Sequence, residues 1–419
     1  MRYTLLFFLL VSKIGFSQTY TLEKIQELSL SNYPLIHQNQ LLKRTEALNV
    51  ENIKTLLLPQ VTINGQATYQ SDVTGISVPN NLFRIDPLSK DQYKATAEIQ
   101  QTLYDGGLNK KTRELSQSSL QVDLLKNEVE LYKLRERVTQ IYCSMLYTDA
   151  LLTQLNYVAA DLNNGLQKAE ALYKNGVVFK NNVLQVKAQV LKNTQRSEEI
   201  LSAKRSLHHA LELLSGQKLG DSAVFLLPEP PKPLDDTKEV TRPEISLFDA
   251  QMNSIDKQTG LIDARTKPRM GAFVQGGYGK PGLNMLKNEF TWFSLTGIKL
   301  QWSLGGFYTA KKEKSILQQQ TGLIKNQKET YLLNTNIQLQ QQLDEIGKLE
   351  KLIVSDKEML SLREQIKNTS LAQLTNGVIS TNDYLKEVNE SDLAGQTLIQ
   401  HQIQLVQAKL VYQLLKGKI

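Results

Sequence analysis

An internal duplication is the feature of this sequence that most constrains its fold. The stretches 59–107 and 268–306 follow one pattern. In each stretch a proline ends a helix-like run, two strand-like segments follow, and a Gly-Gly pair precedes a very long helical segment. Self-similarity of this kind indicates that one structural unit occurs twice in the chain. With elements this long, the 419 residues predict one elongated body rather than two or three ordinary domains.

The repeat can be followed through most of the chain. The matched residues are Pro34 with Pro243, Pro59 with Pro268, Gly106 and Gly107 with Gly305 and Gly306, and Asn175 and Gly176 with Asn376 and Gly377. The offset drops from 209 to 199 residues after the second match, so the first repeat has the longer connection between its strands. We predict a first repeat at 18–216, a Pro-rich linker at 217–242 and a second repeat at 243–419.

Residues 1–17 have the organisation of a secretory signal peptide. A basic Arg2 precedes an apolar core from Leu5 to Val11, and the small residues Gly15 and Ser17 precede the expected cleavage site. A retained membrane anchor is the alternative, although the core is too short to span a bilayer. No later stretch approaches the roughly 18 apolar residues that a transmembrane helix needs. We therefore expect any membrane crossing to be made by strands.

Charge and cysteine content bear on the class of protein. The formal net charge is +7, and it falls to +5 when Arg2 and Lys13 leave with the signal peptide. Spread over long helices, this charge predicts a solvated surface and no nucleic-acid partner. The single cysteine, Cys143, cannot form an internal disulfide, and its helical surroundings indicate a small core residue.

Two strand-like segments in each repeat are long enough to cross a bilayer when tilted. We predict them at about 60–71 and 91–104, and at about 269–279 and 289–304. The first two alternate apolar with uncharged polar residues, whereas the second two have apolar residues on both faces in places. Aromatic residues cluster near the last strand, at Phe290, Trp292, Phe293, Trp302, Phe307 and Tyr308. Interfacial girdles of a membrane barrel would produce this cluster, and so would the core of a soluble sandwich.

Each Gly-Gly pair leads into a long helical segment. Residues 109–173 contain no proline, and their apolar residues recur at the spacing of helices that pack lengthwise. Residues 309–374 form the equivalent segment of the second repeat. Both segments end at an Asn-Gly turn, which suits a backbone that needs a positive φ angle, and a returning helix follows. The sequence therefore predicts two long hairpins with tips near 175–182 and 375–383.

The number of strands decides the predicted architecture. A sheet that spans a bilayer has to close, because an open edge leaves backbone groups unpaired in hydrocarbon. Four strands are too few to close around a lumen, so several copies must share the wall. Three copies supply 12 strands and an open lumen, whereas two copies supply a narrow eight-stranded barrel. The helical hairpins would then form a tube that continues the barrel.

The repeated motifs resemble those of the TolC-type outer-membrane efflux proteins. The first repeat has LPQVTINGQATY, LYDGGLNKKTRE and LYKNGVVFKNNVL, and the second has KPRMGAFVQGGYG, WSLGGFYTAKKEK and LTNGVISTNDYLKEV. The resemblance covers nearly all of the mature chain. It implies an α+β membrane protein: a homotrimer with a 12-stranded β-barrel in the outer membrane, continuous with a long periplasmic α-helical barrel.

The resemblance also implies partners and a site. The channel would give passive exit to substrates from an inner-membrane pump, delivered through a periplasmic adaptor that docks on the helical tips. The docking residues would be Asn175, Gly176 and Val177 in the first tip and Asn376, Gly377 and Val378 in the second. Asp383 is the candidate for an entrance constriction, or a helix N-terminal acid favoured by the helix dipole. Lys386 stands where the family has a second acid, so the sequence does not predict a strongly acidic ring.

The sequence also bears on two other classes of protein. An enzyme is disfavoured because the four histidines, His37, His208, His209 and His401, complete no metal set, and no nucleophile or phosphate motif is present. We predict no catalytic residue, no metal and no cofactor. The second alternative is a non-channel periplasmic adaptor or a coiled-coil stalk. An adaptor normally has one helical hairpin, whereas this chain has two, which favours the channel.

Overall fold

The computed structural model describes residues 19–73, 87–220, 223–228 and 240–418. The predicted signal peptide at 1–17 lies outside the described residues. So do residues 74–86 of the first connection between strands and residues 229–239 of the predicted linker.

Long helices and a four-stranded sheet make up the described chain. In chain order the elements are β1 (Thr19–Tyr20), α1 (Leu22–Asn32), α2 (Leu35–Thr55), β2 (Gln60–Tyr69), β3 (Asp91–Tyr104), α3 (Leu108–Lys174), α4 (Lys180–Ser215), β4 (Val224–Phe225), α5 (Pro243–Arg265), β5 (Arg269–Lys280), β6 (Thr291–Gln301), α6 (Gly306–Thr375) and α7 (Thr381–Lys416). Within these residues no helix has a stretch long and apolar enough to cross a membrane.

The chain divides into two compact units that do not coincide with the two sequence repeats. The sheet unit comprises residues 39–126 and 244–329. The helical unit comprises residues 19–38, 127–243 and 330–418 as far as they are described. Each unit therefore takes segments from both repeats, so that the two copies of the duplicated sequence are folded together rather than side by side as separate domains.

The sheet of the sheet unit has the order β2-β3-β5-β6, and all three strand pairs are antiparallel. Two hairpins, one from each repeat, therefore meet at the central β3–β5 pair. The register of that pair shifts between Thr102 and Tyr104, near the end of β3. Strand β6 ends at Gln301, three residues before the predicted 304, because the chain turns at Leu304 and Gly305 into α6.

The helices of the sheet unit follow the order of the strands. The side-chain amide of Asn109 in α3 donates to the carbonyl of Ile53 in α2. Helix α3 meets α5 where the side chain of Lys111 lies against Gly260. Helix α5 meets α6 through an ion pair between Asp263 and Lys314 and a small core formed by Ile255, Ile262 and Leu317. The helical order is thus α2-α3-α5-α6, the same as the order of the strands β2-β3-β5-β6 that these helices precede or follow in the chain.

The largest core of the helical unit surrounds Tyr142 and Cys143. The hydroxyl of Tyr142 lies 2.8 Å from the carbonyl oxygen of Tyr20 and 2.6 Å from that of Leu226. These carbonyls flank the short parallel pair of β1 and β4, so Tyr142 ties this pair to α3. The prediction that Cys143 is a small core residue is confirmed, because its side chain is buried in this cluster. Burial raises the pKa of its thiol to about 12.

The closing helix of each repeat is capped in the same way. Helix α4 ends at Gly216, and the side-chain amide of Asn32 donates to the carbonyls of Leu213 and Leu214 at 3.3 and 3.1 Å. Helix α7 ends at Gly417, and the hydroxyl of Thr241 donates to the carbonyl of Lys416 at 3.1 Å. Both glycines have a left-handed backbone, which is the usual way to end a helix. Asn32 and Thr241 occupy equivalent positions, since each stands two residues before the matched proline.

Candidate functional site

The first candidate site is the four-stranded sheet, which has one apolar and one polar face. Directly paired residues lie on the same face of an antiparallel sheet. One such row runs through Val61, Ile99 and Val274, and another through Ala95, Tyr278 and Trp292. The large apolar side chains of this face are exposed: Val61, Ile63, Tyr93, Ile99, Met270, Val274, Tyr278, Trp292, Ile298 and Leu300.

The opposite face carries polar side chains. Thr62 pairs with Glu98, and the amide of Gln275 donates to the carboxylate of Glu98 at 3.1 Å. The Lys94 ammonium lies 5.0 Å from the centre of the Phe293 ring. This face is therefore suited to water, in contrast to the apolar face.

Glycines explain why the second-repeat strands have no simple alternation. Phe293 is paired with Gly277, and Phe273 is paired with Gly297, all on the polar face. A Cβ atom at Gly277 would lie 2.4 Å from the Phe293 ring, and one at Gly297 would lie 2.9 Å from the Phe273 ring. Each aromatic ring thus lies flat over a glycine of the neighbouring strand, which leaves part of the ring covered within an otherwise polar surface.

Aromatic side chains gather at the end of the sheet that is far from the helices. The ring of Phe290 stacks with Tyr93 at 6.2 Å and with Tyr278 at 5.5 Å, and Tyr278 contacts Trp292 at 4.9 Å. At the opposite end of β6, the indole N–H of Trp302 donates to the carbonyl of Thr266 at 2.9 Å. Both tryptophans of the chain therefore lie at the ends of β6, one at each end.

The two Gly-Gly pairs form different strand-to-helix turns. Gly106 and Gly107 both have a left-handed backbone, with φ angles of 74° and 84°. The Asp105 carboxylate accepts from the N–H groups of Gly107 at 2.8 Å and Asn109 at 2.6 Å, and so caps the start of α3. In the second repeat Gly305 lies in the turn, whereas Gly306 is already the first residue of α6.

The second candidate site consists of the helical tips. At the first tip Asn175 and Gly176 form the turn, and the N–H of Val177 donates to the carbonyl of Leu172 at 2.9 Å. At the second tip Asn376 and Gly377 form the turn, and the N–H of Val378 donates to the carbonyl of Gln373, also at 2.9 Å. The φ angles of Gly176 and Gly377 are 78° and 67°. Each tip is thus a Schellman motif, in which only glycine is free of strain at the turn.

The structure brings the two predicted tips together. A Cβ atom at Gly377 would lie 3.8 Å from the side chain of Val177. The amide of Asn182 donates to the hydroxyl of Thr381 at 3.2 Å, which joins the first turns of α4 and α7. Val177 and Val378 are both exposed, so the paired tips present apolar side chains to the surroundings.

Asp383 takes part in a capping box at the start of α7. The N–H of Asp383 donates to the Ser380 hydroxyl at 3.2 Å, and the Asp383 carboxylate accepts from the N–H of Ser380 at 3.1 Å and from its hydroxyl at 2.7 Å. These hydrogen bonds, with Lys386 nearby, lower the pKa of the Asp383 carboxyl. The first tip has no equivalent, because Phe179 stands at the N-cap of α4 without a side-chain hydrogen bond.

Sequence reasoning missed several residues that organise the tips. Tyr384 is fully buried beside them, and Phe179 is 85% exposed. The only available signal for Phe179 was its repeat position, which Ser380 occupies in the second repeat. Elsewhere in the helical unit, His401 contacts Asp356 at 2.6 Å. Within the described residues no group of three or more metal-ligating side chains is assembled.

The fold of this chain is similar to that of outer-membrane channels of known structure, so the fold expected for a single chain from its resemblance to the TolC-type proteins is confirmed. The structure superimposes on the outer-membrane channel OprN with a TM-score of 0.71 at 16% identity, over 95% of this chain and 90% of that chain. The outer-membrane protein VceC from Vibrio cholerae superimposes with a TM-score of 0.68 at 16% sequence identity, over 94% of this chain and 96% of VceC. The CmeC outer-membrane channel from Campylobacter jejuni superimposes with a TM-score of 0.67 at 15% sequence identity, over 95% of this chain and 85% of CmeC. No protein-family model matches the sequence, and no curated protein matches it.

Proposed function

We propose that this chain is one third of an outer-membrane channel of an efflux or export system. Three copies would form a 12-stranded β-barrel continuous with a long α-helical barrel, through which substrates leave passively. The observation that carries the proposal is the four-stranded sheet, which has an exposed apolar face, a polar face and two outer strands, β2 and β6, that each pair with only one strand among the described residues.

The exposed apolar face is costly in water. Burial of one Val, Ile or Leu side chain stabilises a protein by about 1.5–3 kcal/mol, and this face forgoes that gain at many positions. In the hydrocarbon of a bilayer the same side chains are in a favourable solvent. The aromatic group formed by Tyr93, Tyr278, Phe290 and Trp292 would then lie at one interface, where aromatic side chains are enriched in membrane proteins.

The two free edges of the sheet require further strands. In hydrocarbon each unpaired backbone group costs several kcal/mol, so β2 and β6 must both be paired. Because β2 and β6 run in opposite directions, β6 of one copy can pair antiparallel with β2 of the next. Three copies close the wall around a lumen lined by the polar face, whereas two copies would leave little bore.

The fold suggests the location and the partners of the channel. The barrel would contact outer-membrane lipid, and the helical portion would lie in the periplasm. The paired tips around Gly176 and Gly377 would dock to a periplasmic adaptor, which connects the channel to an inner-membrane pump. Three copies of Asp383 would be present in the trimer, and this ionised carboxylate is our candidate for the entrance constriction. We propose no catalytic role, cofactor or nucleic-acid partner.

Purified full-length protein tests the proposal. We expect the protein to require detergent for extraction from the outer membrane, to be a trimer by light scattering, and to produce stepwise conductance in a planar lipid bilayer. A water-soluble monomer without conductance would overturn the channel and would favour the adaptor or stalk instead.

A further inference from the structure

The polar face of the sheet carries a short apolar stripe on β5 and β6. Three consecutive residue pairs of this face each combine one apolar side chain with a glycine or a glutamine: Phe273 with Gly297, Leu295 with Gln275, and Phe293 with Gly277. Phe273, Leu295 and Phe293 thus form an apolar stripe that runs for roughly 14 Å along the strands. The rest of this face is polar, so the stripe stands out from its surroundings.

Packing over glycine accounts for only part of the apolar stripe. The rings of Phe273 and Phe293 are half-buried, and each lies over the glycine with which it pairs. Leu295 pairs with Gln275 instead, and its side chain is 44% exposed. The amide of Gln275 donates to Glu98 on β3 at 3.1 Å, so this amide is engaged on the side of the strand away from Leu295. An exposed apolar side chain between two aromatic rings, on a polar surface, is typical of a ligand-binding surface.

Cations flank both ends of the apolar stripe. Lys94 lies one pair beyond Phe293 on this face, and its ammonium is 5.0 Å from the centre of the Phe293 ring. Lys299 lies one pair beyond Phe273. Within the four strands the charged side chains of this face are three cations and one carboxylate, Lys94, Arg269, Lys299 and Glu98. The excess of positive charge favours an anionic ligand.

We infer that the apolar stripe and Lys94 form a binding site for amphipathic organic anions. The flat apolar part of such a molecule would lie against Phe293 and Leu295, and its carboxylate or sulfonate group would contact the Lys94 ammonium. Both parts are required, because an exposed lysine alone holds an anion weakly in salt, whereas an aromatic ring adds a geometrically specific contact. The inference rests on the proposed channel, whose lumen this face would line, and it names a class of substrate that the barrel wall holds during passage.

The chemistry of the ligand can be tested on the wild-type trimer by single-channel recording in a planar lipid bilayer. Naphthalene sulfonate should lower the open-channel current as its concentration rises. Methanesulfonate has the charge without the ring, and a naphthyl trimethylammonium ion has the ring with the opposite charge. Neither should lower the current at the concentrations at which naphthalene sulfonate acts. Block by either control compound at those concentrations, or no block by naphthalene sulfonate, would overturn the inference.

Two substitutions test the residues of the site separately. Leu295→Thr removes an apolar side chain from the stripe, and Lys94→Gln removes the cation. Each should raise the concentration of naphthalene sulfonate that gives half-block by roughly threefold to tenfold. The effect of Lys94→Gln should shrink as the salt concentration rises, because salt screens the charge.

The opposite face of the sheet provides matched controls. Leu300→Thr and Lys280→Gln make the same chemical changes at residues whose pairing places them on the apolar face. Both control proteins should be blocked like the wild-type channel. If Leu295→Thr and Lys94→Gln proteins also keep wild-type block, the ligand does not bind at the apolar stripe.

The two proposals fail in different ways. A conducting trimer whose current is unchanged by naphthalene sulfonate would refute the ligand site and leave the channel in place. A wild-type protein that is a monomer without conductance would refute the channel, and with it the lumen in which the ligand would bind.

Discussion

The ring of Tyr384 in α7 packs against Gly165 in α3, and its hydroxyl donates to the carbonyl of Asp161 at 3.1 Å. A Cβ atom at Gly165 would lie 2.6 Å from Cε1 of this ring. Tyr384 belongs to the core cluster near the tips, together with Leu162, Val186 and Leu374. The single glycine of α3 is therefore the space that one buried aromatic ring requires.

Gly165→Ala should destabilise the helical unit. Alanine favours a helix over glycine by about 1 kcal/mol, but a methyl group forced into a buried aromatic ring costs about 1–3 kcal/mol. We expect a lower midpoint of thermal unfolding, measured by circular dichroism in detergent. Gly347→Ala is the matched control, because nothing lies within 4 Å of a Cβ atom at that helical position. It should raise the midpoint, and an equal gain at Gly165 would contradict the packing.

Much of the fold could be predicted from the sequence because it depends on local pattern. Proline positions, alternation in the first two strands and the Asn-Gly turns predicted where helices and strands begin and end. The caps formed by Asn32 and Thr241 could not be predicted, since each joins residues that are more than 170 positions apart. Pattern also failed on the faces of β5 and β6, where aromatic–glycine pairing places Phe273 and Phe293 on the polar side.

The candidate sites were predictable to different degrees. The turns at Gly176 and Gly377 follow from the need for a positive φ angle, which the structure has at both positions. The sequence offered Asp383 as an entrance constriction or as a helix N-terminal acid; the structure adds its hydrogen bonds with Ser380, which the sequence analysis did not predict, and the constriction stays a prediction.

Between neutral and alkaline pH, the free energy of unfolding should fall more in the wild-type protein than in a Tyr142→Phe variant. Burial, followed by the nearby Glu23 carboxylate, raises the pKa of Tyr142 above that of a free tyrosine, about 10. Its neutral form therefore stabilises the fold fully below about pH 10, and this contribution is lost as the pH rises further. The free energy of unfolding in urea, measured from pH 8 to 11, should fall less steeply in the variant.

Tyr142→Phe should also lower the free energy of unfolding at neutral pH. Loss of the hydroxyl removes the contacts with the carbonyls of Tyr20 and Leu226, which should cost about 1–3 kcal/mol. Tyr157→Phe provides the control, because Tyr157 is an exposed tyrosine on the same helix. A Tyr142→Phe protein with wild-type stability at pH 7 would show that the hydroxyl does not tie β1 and β4 to α3.

Substitution of the N-cap residue should stabilise the first tip and destabilise the second. Phe179→Ser introduces a cap at α4, which should raise the stability of the helical unit by about 0.5–2 kcal/mol. Ser380→Ala removes the capping box with Asp383 and should lower the unfolding midpoint. The lowered pKa of Asp383 makes its contribution present above the unfolded value of about 3.9 and lost as the pH falls further. The effect of Ser380→Ala should thus shrink in acid, as unfolding midpoints at pH 3 and pH 7 would show.

Substitution of the turn glycines should separate assembly from export. Any other residue at Gly176 or Gly377 has to adopt a left-handed backbone, at a cost of roughly 1–2 kcal/mol, and a bulky or charged side chain would also project from the apolar tip surface. Since neither position is in the sheet whose edges are proposed to pair between copies, the Gly176→Arg and Gly377→Arg proteins should remain trimers with wild-type conductance. Export of a substrate by whole cells should nevertheless be lost, because the tips would no longer fit the adaptor. Gly347→Arg controls for the added charge, because Gly347 is remote from the tips in sequence. Undiminished export in the tip variants would place adaptor docking elsewhere on the chain.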